Sequence, residues 1–295
     1  MSDKFDLSIA IVSWNVQELL RQTLESVYRE TKGITFEIFV VDNASRDGSA
    51  EMVQRLFPRA WLFANTDNLG FAKANNRALR EARGRYIVLL NPDTEIRDNA
   101  LQKMVSWMDA HPRAGIAGPQ LLNPDGSIQP STRNFPTFSA LGLTLLKLHH
   151  LWRPKIIKDY YQLDFDHAHE QEVDQVMGAA LFIRRAVIEV IGLLDEGFWI
   201  WFEEADWCKR ARNAGFEIWF TPAARIMHIK GESFKQQLSV TKQHWFNASL
   251  LRYAKKHLSP YTYPLLFMLA KLTVLLAGVV QLAEYVQPLH RKKEL

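Results

Sequence analysis

Arg85-Tyr86-Ile87-Val88-Leu89-Leu90-Asn91-Pro92-Asp93-Thr94-Glu95 is the stretch from which this chain is best read. The unbroken apolar run from Tyr86 to Leu90 has strand length and no alternation, so it reads as a β-strand buried on both faces, as in a parallel sheet covered by helices. Asn91-Pro92 ends the ladder, because proline has no N–H to donate and fixes φ. A carboxylate follows at once. In open α/β sheets ligands gather beyond the carboxyl ends of the strands, which is where Asp93 is delivered. A plain structural role is open to the same residues, with Asp93 or Thr94 capping a helix that begins near Ile96.

Working outward, Leu7–Trp14, Phe36–Val41 and the weaker Ala60–Ala64 read as further strands. Helices are expected after each. The first carries Val16, Leu19, Leu20, Leu24 and Val27, the second runs from Ser49 to Phe57, and the third from Gly70 to Ala82, with Asn68 or Asp67 as its cap. Strands separated by helix-length connections imply a right-handed, mostly parallel, Rossmann-like sheet with helices on both faces. The 295 residues suit one large α/β domain with an appendage. A net charge of +4 is too weak to argue for nucleic acid. One cysteine, Cys208, excludes an intrachain disulfide framework and points to a reducing compartment. The polar start, Met1 to Asp6, does not read as a secretory signal.

The phosphate-binding signatures of dinucleotide folds and P-loops are absent from the sequence: no G-x-G-x-x-G follows the first strand and no G-x-x-x-x-G-K-[ST] occurs. Instead the strands end in hydrogen-bonding side chains, at Ser13 and Asn15, at Asp42 and Asn43, and at Asn91 and Asp93. An amide or carboxylate there can pair with the imide N–H of uracil or thymine and with ribose hydroxyls, which makes Asp42 the candidate nucleoside contact. A turn-starting or helix-capping role for Asp42 is the structural alternative.

The segments VSWN (12–15), VVDNASRDGS (40–49), NLGFAKANNRAL (68–79) and NPDTE (91–95), in this order, resemble the inverting family-2 glycosyltransferases with the GT-A fold. Leu121–Thr137, LLNPDGSIQPSTRNFPT, is similar to their bacterial rhamnosyltransferase-like branch, which builds lipopolysaccharide and cell-wall glycans. The resemblance runs from about residue 7 to about residue 235. It implies a donor half over about 1–120 and an acceptor half over about 121–240. It also implies that the acid at the end of the fourth strand, Asp93, binds a divalent ion, Mg²⁺ or Mn²⁺, bridging the donor diphosphate. The family's Asp-x-Asp is Asn91-Pro92-Asp93 here, so the first acid is an amide. Ser13, Asn15, Asp42, Asn43, Gly70, Asn76 and Asn91 fall on the donor side.

In the second half Ala114–Leu122 and Val176–Arg184 read as strands, with Gly178 allowing close backbone approach. Glu217–Phe220 and Ala224–Ile229 are two more extended segments. The helix opening at Glu203-Glu204-Ala205-Asp206 has acids in its first turn, and Asp206 can pair with Arg210 one turn on. That account does not explain Glu203 and Glu204, which sit beside Phe198, Trp199, Trp201 and Phe202. An aromatic wall next to a carboxylate suits sugar binding and raises the acid's pKa. The resemblance implies that Glu204 is the general base on the acceptor hydroxyl, with Glu203 next in line, and that Trp199, Trp201 and Asp206 flank the acceptor. By the same resemblance His228 is a second metal ligand; read alone, a histidine near a strand end is more often structural.

Two segments fall outside this pattern. Leu141–Lys158 mixes leucines with basic residues and reads as a lid, a membrane-touching insert or a packed amphipathic helix. Leu265–Ala283 is apolar and about long enough to span a bilayer, but Lys271 near its middle and the tail Arg291-Lys292-Lys293 argue against a simple span. A helix lying in the cytoplasmic leaflet, or packed on a second copy, is expected over 241–295. The whole reads as a metal-dependent inverting transfer of a sugar, rhamnose by branch resemblance, from a UDP- or dTDP-sugar to a glycan or lipid-linked hydroxyl. It would act at the inner face of the cell membrane and without nucleic acid. The competing classes are a nucleotidyltransferase, which should carry a Gly-rich basic loop after its first strand, and a non-catalytic membrane scaffold.

Overall fold

A computed structural model of the chain describes residues 5–148, 151–229 and 239–286. The first half alternates β1 (Phe5–Ser13), α1 (Gln17–Glu30), β2 (Phe36–Asp42), α2 (Ser49–Leu56), β3 (Trp61–Ala64), α3 (Phe71–Glu81) and β4 (Gly84–Leu90). Its strands pair in parallel in the order β3-β2-β1-β4, as helix-length crossovers require. Side-chain alternation sorts them between two cores. Leu7, Ile9 and Ile11 pack with Leu20 and Leu24 of α1 on one face, while Ala10 packs with the alanines of α3 on the other. β4 is buried on both faces, with Val88 and Leu90 in the first core and Ile87 and Leu89 in the second.

Beyond Asp93 the chain continues as β5 (Thr94–Ile96), not as a helix. Side chains of α1 explain this. The Thr23 hydroxyl lies 2.9 and 2.7 Å from the carbonyls of Pro92 and Thr94, and the Ser26 hydroxyl accepts from Ile96 N at 3.0 Å. With its backbone groups bonded in this way the segment stays extended. α4 (Ala100–Ala110) begins only after Asn99, in the left-handed conformation at φ 53°. Gly70 itself, and not Asn68 or Asp67, is the N-cap residue of α3; Asn68 Oδ1 accepts from Gly70 N at 2.9 Å.

The second half adds β6 (Ala114–Leu122), β7 (Ile128–Gln129), β8 (Thr132–Arg133), α5 (Phe138–Leu145), α6 (Lys155–Tyr161), β9 (Gln171–Glu172), β10 (Gln175–Val176), β11 (Ala180–Arg184), α7 (Arg185–Ile191), α8 (Glu203–Asn213) and β12 (Glu217–His228). The main sheet runs β3-β2-β1-β4-β11-β6-β12-β5. β11 is antiparallel to both of its neighbours, so it wedges a reversed strand between two parallel runs. The strand expected over Val176–Arg184 is broken in two. Met177-Gly178-Ala179 separates β10 from β11, and Ala179 O accepts from Asn91 N at 2.9 Å. Conversely, the two segments expected at 217–220 and 224–229 are one strand, with a register shift between Thr221 and Arg225. Past that shift β12 pairs with β5, which places His228 opposite Thr94.

Two helices follow, α9 (Ser239–His257) and α10 (Tyr263–Val286). The boundary expected at residue 240 does not separate two cores. Leu250, Tyr253 and Ala254 of α9, with Leu266 and Ala270 of α10, belong to the same apolar cluster as α3 and α8. Asn247 of α9 donates to Ala270 O at 2.7 Å and to the Thr273 hydroxyl at 3.0 Å, pinning α10 to the domain. The other face of α10 is bare, with Met268 61%, Leu275 66% and Leu276 52% exposed. Leu151 and Trp152, between α5 and α6, are also exposed, at 86% and 64%. His149, His150 and the basic tail from Arg291 lie outside the described residues.

Candidate active site

A cleft of about 410 Å³ opens at the carboxyl ends of β1, β2 and β4 and is closed from the other side by the segment leading into α8. Asn43, Asn68, Gly70, Asn91 and Asp93 line it from the first half, and Trp199, Trp201, Glu203, Glu204 and His228 from the second. Asp93 and Glu204, far apart along the chain, thus face one space.

β4 and β12 converge on Asp93. The residue is 7% exposed, and its Oδ1 lies 3.3 Å from His228 Nε2. Asn91 Nδ2 is 3.2 Å from the same nitrogen. Asp93 O accepts from Ile229 N at 2.8 Å, so the end of β12 is fastened to the turn after β4. Among the described residues no group of three or more His, Cys, Asp or Glu could enclose a metal. The donor set on hand is one carboxylate and one imidazole, buried together, which fits a cation completed by ligand oxygens.

Glu203 and Glu204 begin α8 directly after Trp201 and Phe202, both in the left-handed region at φ 65° and 68°. Backbone strain of this kind collects where a site over-determines the local geometry. Burial pushes the carboxyl of Glu203, 5% exposed, well above the usual range, and the neighbouring charge of Glu204 adds to it. Burial also raises Glu204, against the opposing pull of the Arg133 guanidinium. Each keeps a buried Oε2 without a hydrogen-bond partner among the described residues. Arg133, stacked over Tyr161 at 5.0 Å, lines the same cleft.

At the ends of β1 and β2, just outside the cleft lining, two more polar atoms are unpartnered among the described residues. Ser13 Oγ and Asp42 Oδ1 are buried, and their residues stand opposite each other in the β1–β2 register. The other Asp42 oxygen accepts from Ser45 N at 3.0 Å, which is the turn role open to it. Asn43 ties β2 to the loop before α3, donating to Gly70 O at 3.1 Å and accepting from Asn65 at 2.8 Å.

Three residues expected as ligands occupy strut positions outside the cleft lining. Asn15, at φ 51°, accepts from Arg46 N at 2.7 Å and braces the 45–47 turn. Asn76 clasps the backbone of Leu194 in both directions, at 2.8 and 3.1 Å, so it joins α3 to the loop before α8. Asp206 is 0% exposed and carries Arg210 at 2.9 Å, His257 at 2.7 Å and Lys256 at 2.6 Å. The last two come from α9, so Asp206 bolts α9 to the helix that presents the glutamates. Pairing with these groups outweighs the burial that would raise its carboxyl, which lies below the usual range.

Sequence reasoning missed Trp14, Arg133, Gln175 and Trp245, all of which line the cleft. Trp245 comes from α9 and lies 5.7 Å from Trp199, ring to ring. The aromatic pairing of elements so far apart leaves no mark in a single sequence. Gly70 closes the seam on the opposite side: its φ is +76°, Phe71 N donates to Trp199 O at 2.7 Å, and a Cβ there would meet that oxygen at 2.6 Å.

The sequence model of the family described as Glycosyl transferase family 2 matches residues 8–191. N-acetylglucosaminyl-diphospho-decaprenol L-rhamnosyltransferase of Mycobacterium tuberculosis is 26% identical over 238 residues, covering 77% of each chain. The dTDP-rhamnosyl transferase RfbF of Shigella flexneri is 24% identical over 225 residues, 75% of this chain and 68% of its own. Among solved structures, the mannosyltransferase PcManGT of Pyrobaculum calidifontis, in complex with GDP-Man and Mn²⁺, superposes with a TM-score of 0.58 at 17% identity, covering 97% of this chain and 76% of its own. That likeness bears on the fold, which is GT-A: a mixed α/β sheet with its cleft at the strand ends.

Proposed function

Since the chain belongs to glycosyl transferase family 2 and is a glycosyltransferase of glycan biosynthesis in its rhamnosyltransferase-like branch, we propose that it moves a deoxyhexose such as rhamnose from a dTDP- or UDP-sugar to a hydroxyl of a lipid-linked glycan, with inversion. The observation that carries this is the meeting of Asp93 and Glu204 in one cleft. Ser13 and Asp42 hold the nucleoside through the two buried oxygens that lack partners among the described residues, and Asn43 and Gly70 shape the wall beside it. The buried Asp93–His228 pair is the place for a divalent ion, Mn²⁺ or Mg²⁺, whose remaining positions the donor diphosphate would fill. When bound, such an ion offsets the charge that builds on the leaving diphosphate.

Glu204 takes the proton of the acceptor hydroxyl. The oxygen so freed attacks the anomeric carbon from the face opposite the diphosphate; the new glycosidic C–O bond forms as the bond to the phosphate oxygen breaks, through an oxocarbenium-like transition state. Trp199, Trp201 and Trp245 supply flat apolar surface for the acceptor sugar. Burial, and then the neighbouring charge of Glu204, favour the protonated form of Glu203, which limits the negative charge the pair carries.

The mycobacterial relative is named for a lipid-linked acceptor, N-acetylglucosaminyl-diphospho-decaprenol, and an acceptor of that class suits the bare face of α10. We read this helix as lying on the inner leaflet of the cytoplasmic membrane: Leu266, Ala270 and Ala277 are committed to the protein core, leaving Met268, Leu272, Leu275 and Leu276 for lipid. Pinned on one face to the domain that carries the cleft, the helix is read as lying on the leaflet and not as crossing it.

The test is Glu204→Gln, assayed for nucleotide diphosphate release and for donor binding by calorimetry. Transfer falls by about 10²–10⁴-fold with donor affinity kept. Transfer at the wild-type rate removes Glu204 from the chemistry, and unchanged function in cells would favour a scaffold.

A further inference from the structure

One hairpin beside the cleft has no task in the transfer reaction. Asn123-Pro124-Asp125-Gly126-Ser127 turns the chain, with Gly126 at φ +83°, and returns it as β7 with Gln129 opposite Leu121 of β6. Gln129 is 3% exposed and lies against His228. The orientation of its amide is fixed by its neighbours. The backbone carbonyl of His228 can only accept, and it is 3.2 Å from Gln129 Nε2, which also donates to Asn123 Oδ1 at 2.8 Å. The amide oxygen therefore faces His228 Nδ1, at 2.7 Å. An acceptor at that distance requires the hydrogen on Nδ1, so in the neutral ring Nε2 bears the lone pair. That lone pair receives Asn91 Nδ2–H at 3.2 Å and faces Asp93 Oδ1 at 3.3 Å. A lone pair and a carboxylate oxygen facing each other call for a cation between them.

We propose that Gln129 is a positioning residue that holds His228 as the Nδ1–H tautomer, so that Nε2 stands beside Asp93 as a ready nitrogen ligand and the site favours Mn²⁺ over Mg²⁺. The proposal rests on the reading of Asp93 and His228 as the metal pair. Imidazole nitrogen is a better partner for Mn²⁺ than for Mg²⁺, which prefers an all-oxygen octahedron and keeps its waters. Metal-binding histidines are oriented by the acceptor on their other ring nitrogen, and removing such a partner weakens metal binding.

The experiment uses the full chain, with free Mn²⁺ followed by electron paramagnetic resonance, with and without dTDP, and with Mg²⁺ as competitor. Long-range ¹H–¹⁵N spectra report the His228 tautomer independently of activity. The wild type shows Nδ1–H. Gln129→Met weakens Mn²⁺ by about 10–100-fold and Mg²⁺ by less, narrowing the preference between them. Gln129→Glu keeps an acceptor for Nδ1–H and so holds Mn²⁺ more tightly than Gln129→Met, although its second oxygen, set against the His228 carbonyl and Asn123 Oδ1, lowers stability. A wild-type His228 protonated on Nε2, or a folded Gln129→Met with unchanged Mn²⁺ affinity and Mn²⁺/Mg²⁺ ratio, overturns the proposal. If Gln129→Met does not fold, the wild-type tautomer and Gln129→Glu decide. Asp93→Asn and His228→Gln separate the two levels: if neither weakens Mn²⁺, the metal pair itself is wrong, and if both do while Gln129→Met does not, only the role of Gln129 falls.

Discussion

Replacing Gly70 by alanine tests the seam between the two halves of the cleft. Two penalties follow from the geometry. Gly70 has φ 76° and ψ 179°, a region essentially reserved for glycine, and placing a side chain there costs about 1–3 kcal/mol. The added Cβ would also sit 2.6 Å from Trp199 O and 3.0 Å from the indole, so the Trp199 backbone must retreat and its hydrogen bond from Phe71 N, now 2.7 Å, is lost at about 0.5–1.5 kcal/mol. The sum is about 1.5–4.5 kcal/mol, which at about 2 °C per kcal/mol for a chain of this size lowers Tm by about 3–9 °C. Because Trp199 leads directly into Glu203 and Glu204, a displacement near 1 Å should also cut kcat by as much as about a hundredfold. Gly192→Ala is the control: Gly192 has φ 76° and ψ −177°, the same region, with nothing within 4 Å of its Cβ position. Differential scanning fluorimetry and transfer kinetics on both variants separate strain from clash. Both lose stability, and only Gly70→Ala loses transfer. If Gly70→Ala keeps wild-type kcat, or if Gly192→Ala loses as much, the Gly70–Trp199 contact does not position the base.

Asp206→Asn leaves Arg210, Lys256 and His257 around a neutral amide and should destabilise the fold by about 3–5 kcal/mol. The Asp206 carboxyl is depressed in the folded chain, so its contribution is complete above the ordinary value of 3.8 and fades as pH falls through the lower folded value. Urea midpoints between pH 2 and 7 should therefore drop in acid for the wild type and less so for Asp206→Asn. Glu203 behaves in the opposite sense. Its folded value is raised by burial and then by Glu204, so its ionisation burdens the fold as pH rises, and Glu203→Gln should raise Tm more at pH 8 than at pH 5. The acid limb of kcat/KM against pH should lie above 4.5, the ordinary glutamate value, because burial raises Glu204; a limb at or below 4.5 would exclude Glu204 as the group seen. For the membrane face, Leu275→Glu with Leu276→Glu should abolish sedimentation with phosphatidylglycerol vesicles and leave transfer to a soluble acceptor unchanged; binding that survives both changes places the contact elsewhere.

The buried strands and their cleft are legible in the sequence because their signals are local. The run Tyr86–Leu90 announces a doubly covered strand, and Asn-Pro-Asp announces what happens at its end. The resemblance extends that reading across the chain. Side chains expected to touch donor or acceptor but found as struts illustrate the limit. Asn76 clasps Leu194 and Asp206 gathers three basic side chains from α8 and α9, and a sequence shows a polar residue without saying whether its partner is a ligand or another stretch of the chain. The segment Thr94–Ile96 reads as a possible helix start for the same reason: the hydroxyls of Thr23 and Ser26 that keep it extended are some seventy residues away. Trp245 is out of reach of the sequence because only the docking of α9 brings it to Trp199.

The reversed strand at the centre of the sheet has a bearing on how the protein is born. As the chain leaves the ribosome, β4 and β6 emerge with no partner between them, since the strand that joins them is supplied only by Ala180–Arg184. The first end of the sheet can assemble early from β1, β2 and β3, but the other half must wait. Until β11 inserts, two apolar edges stand open to chaperones or to neighbouring nascent chains. Nascent fragments ending before residue 180 should therefore be the aggregation-prone ones, and those reaching past 228 the first in which β4, β6 and β5 all have their partners.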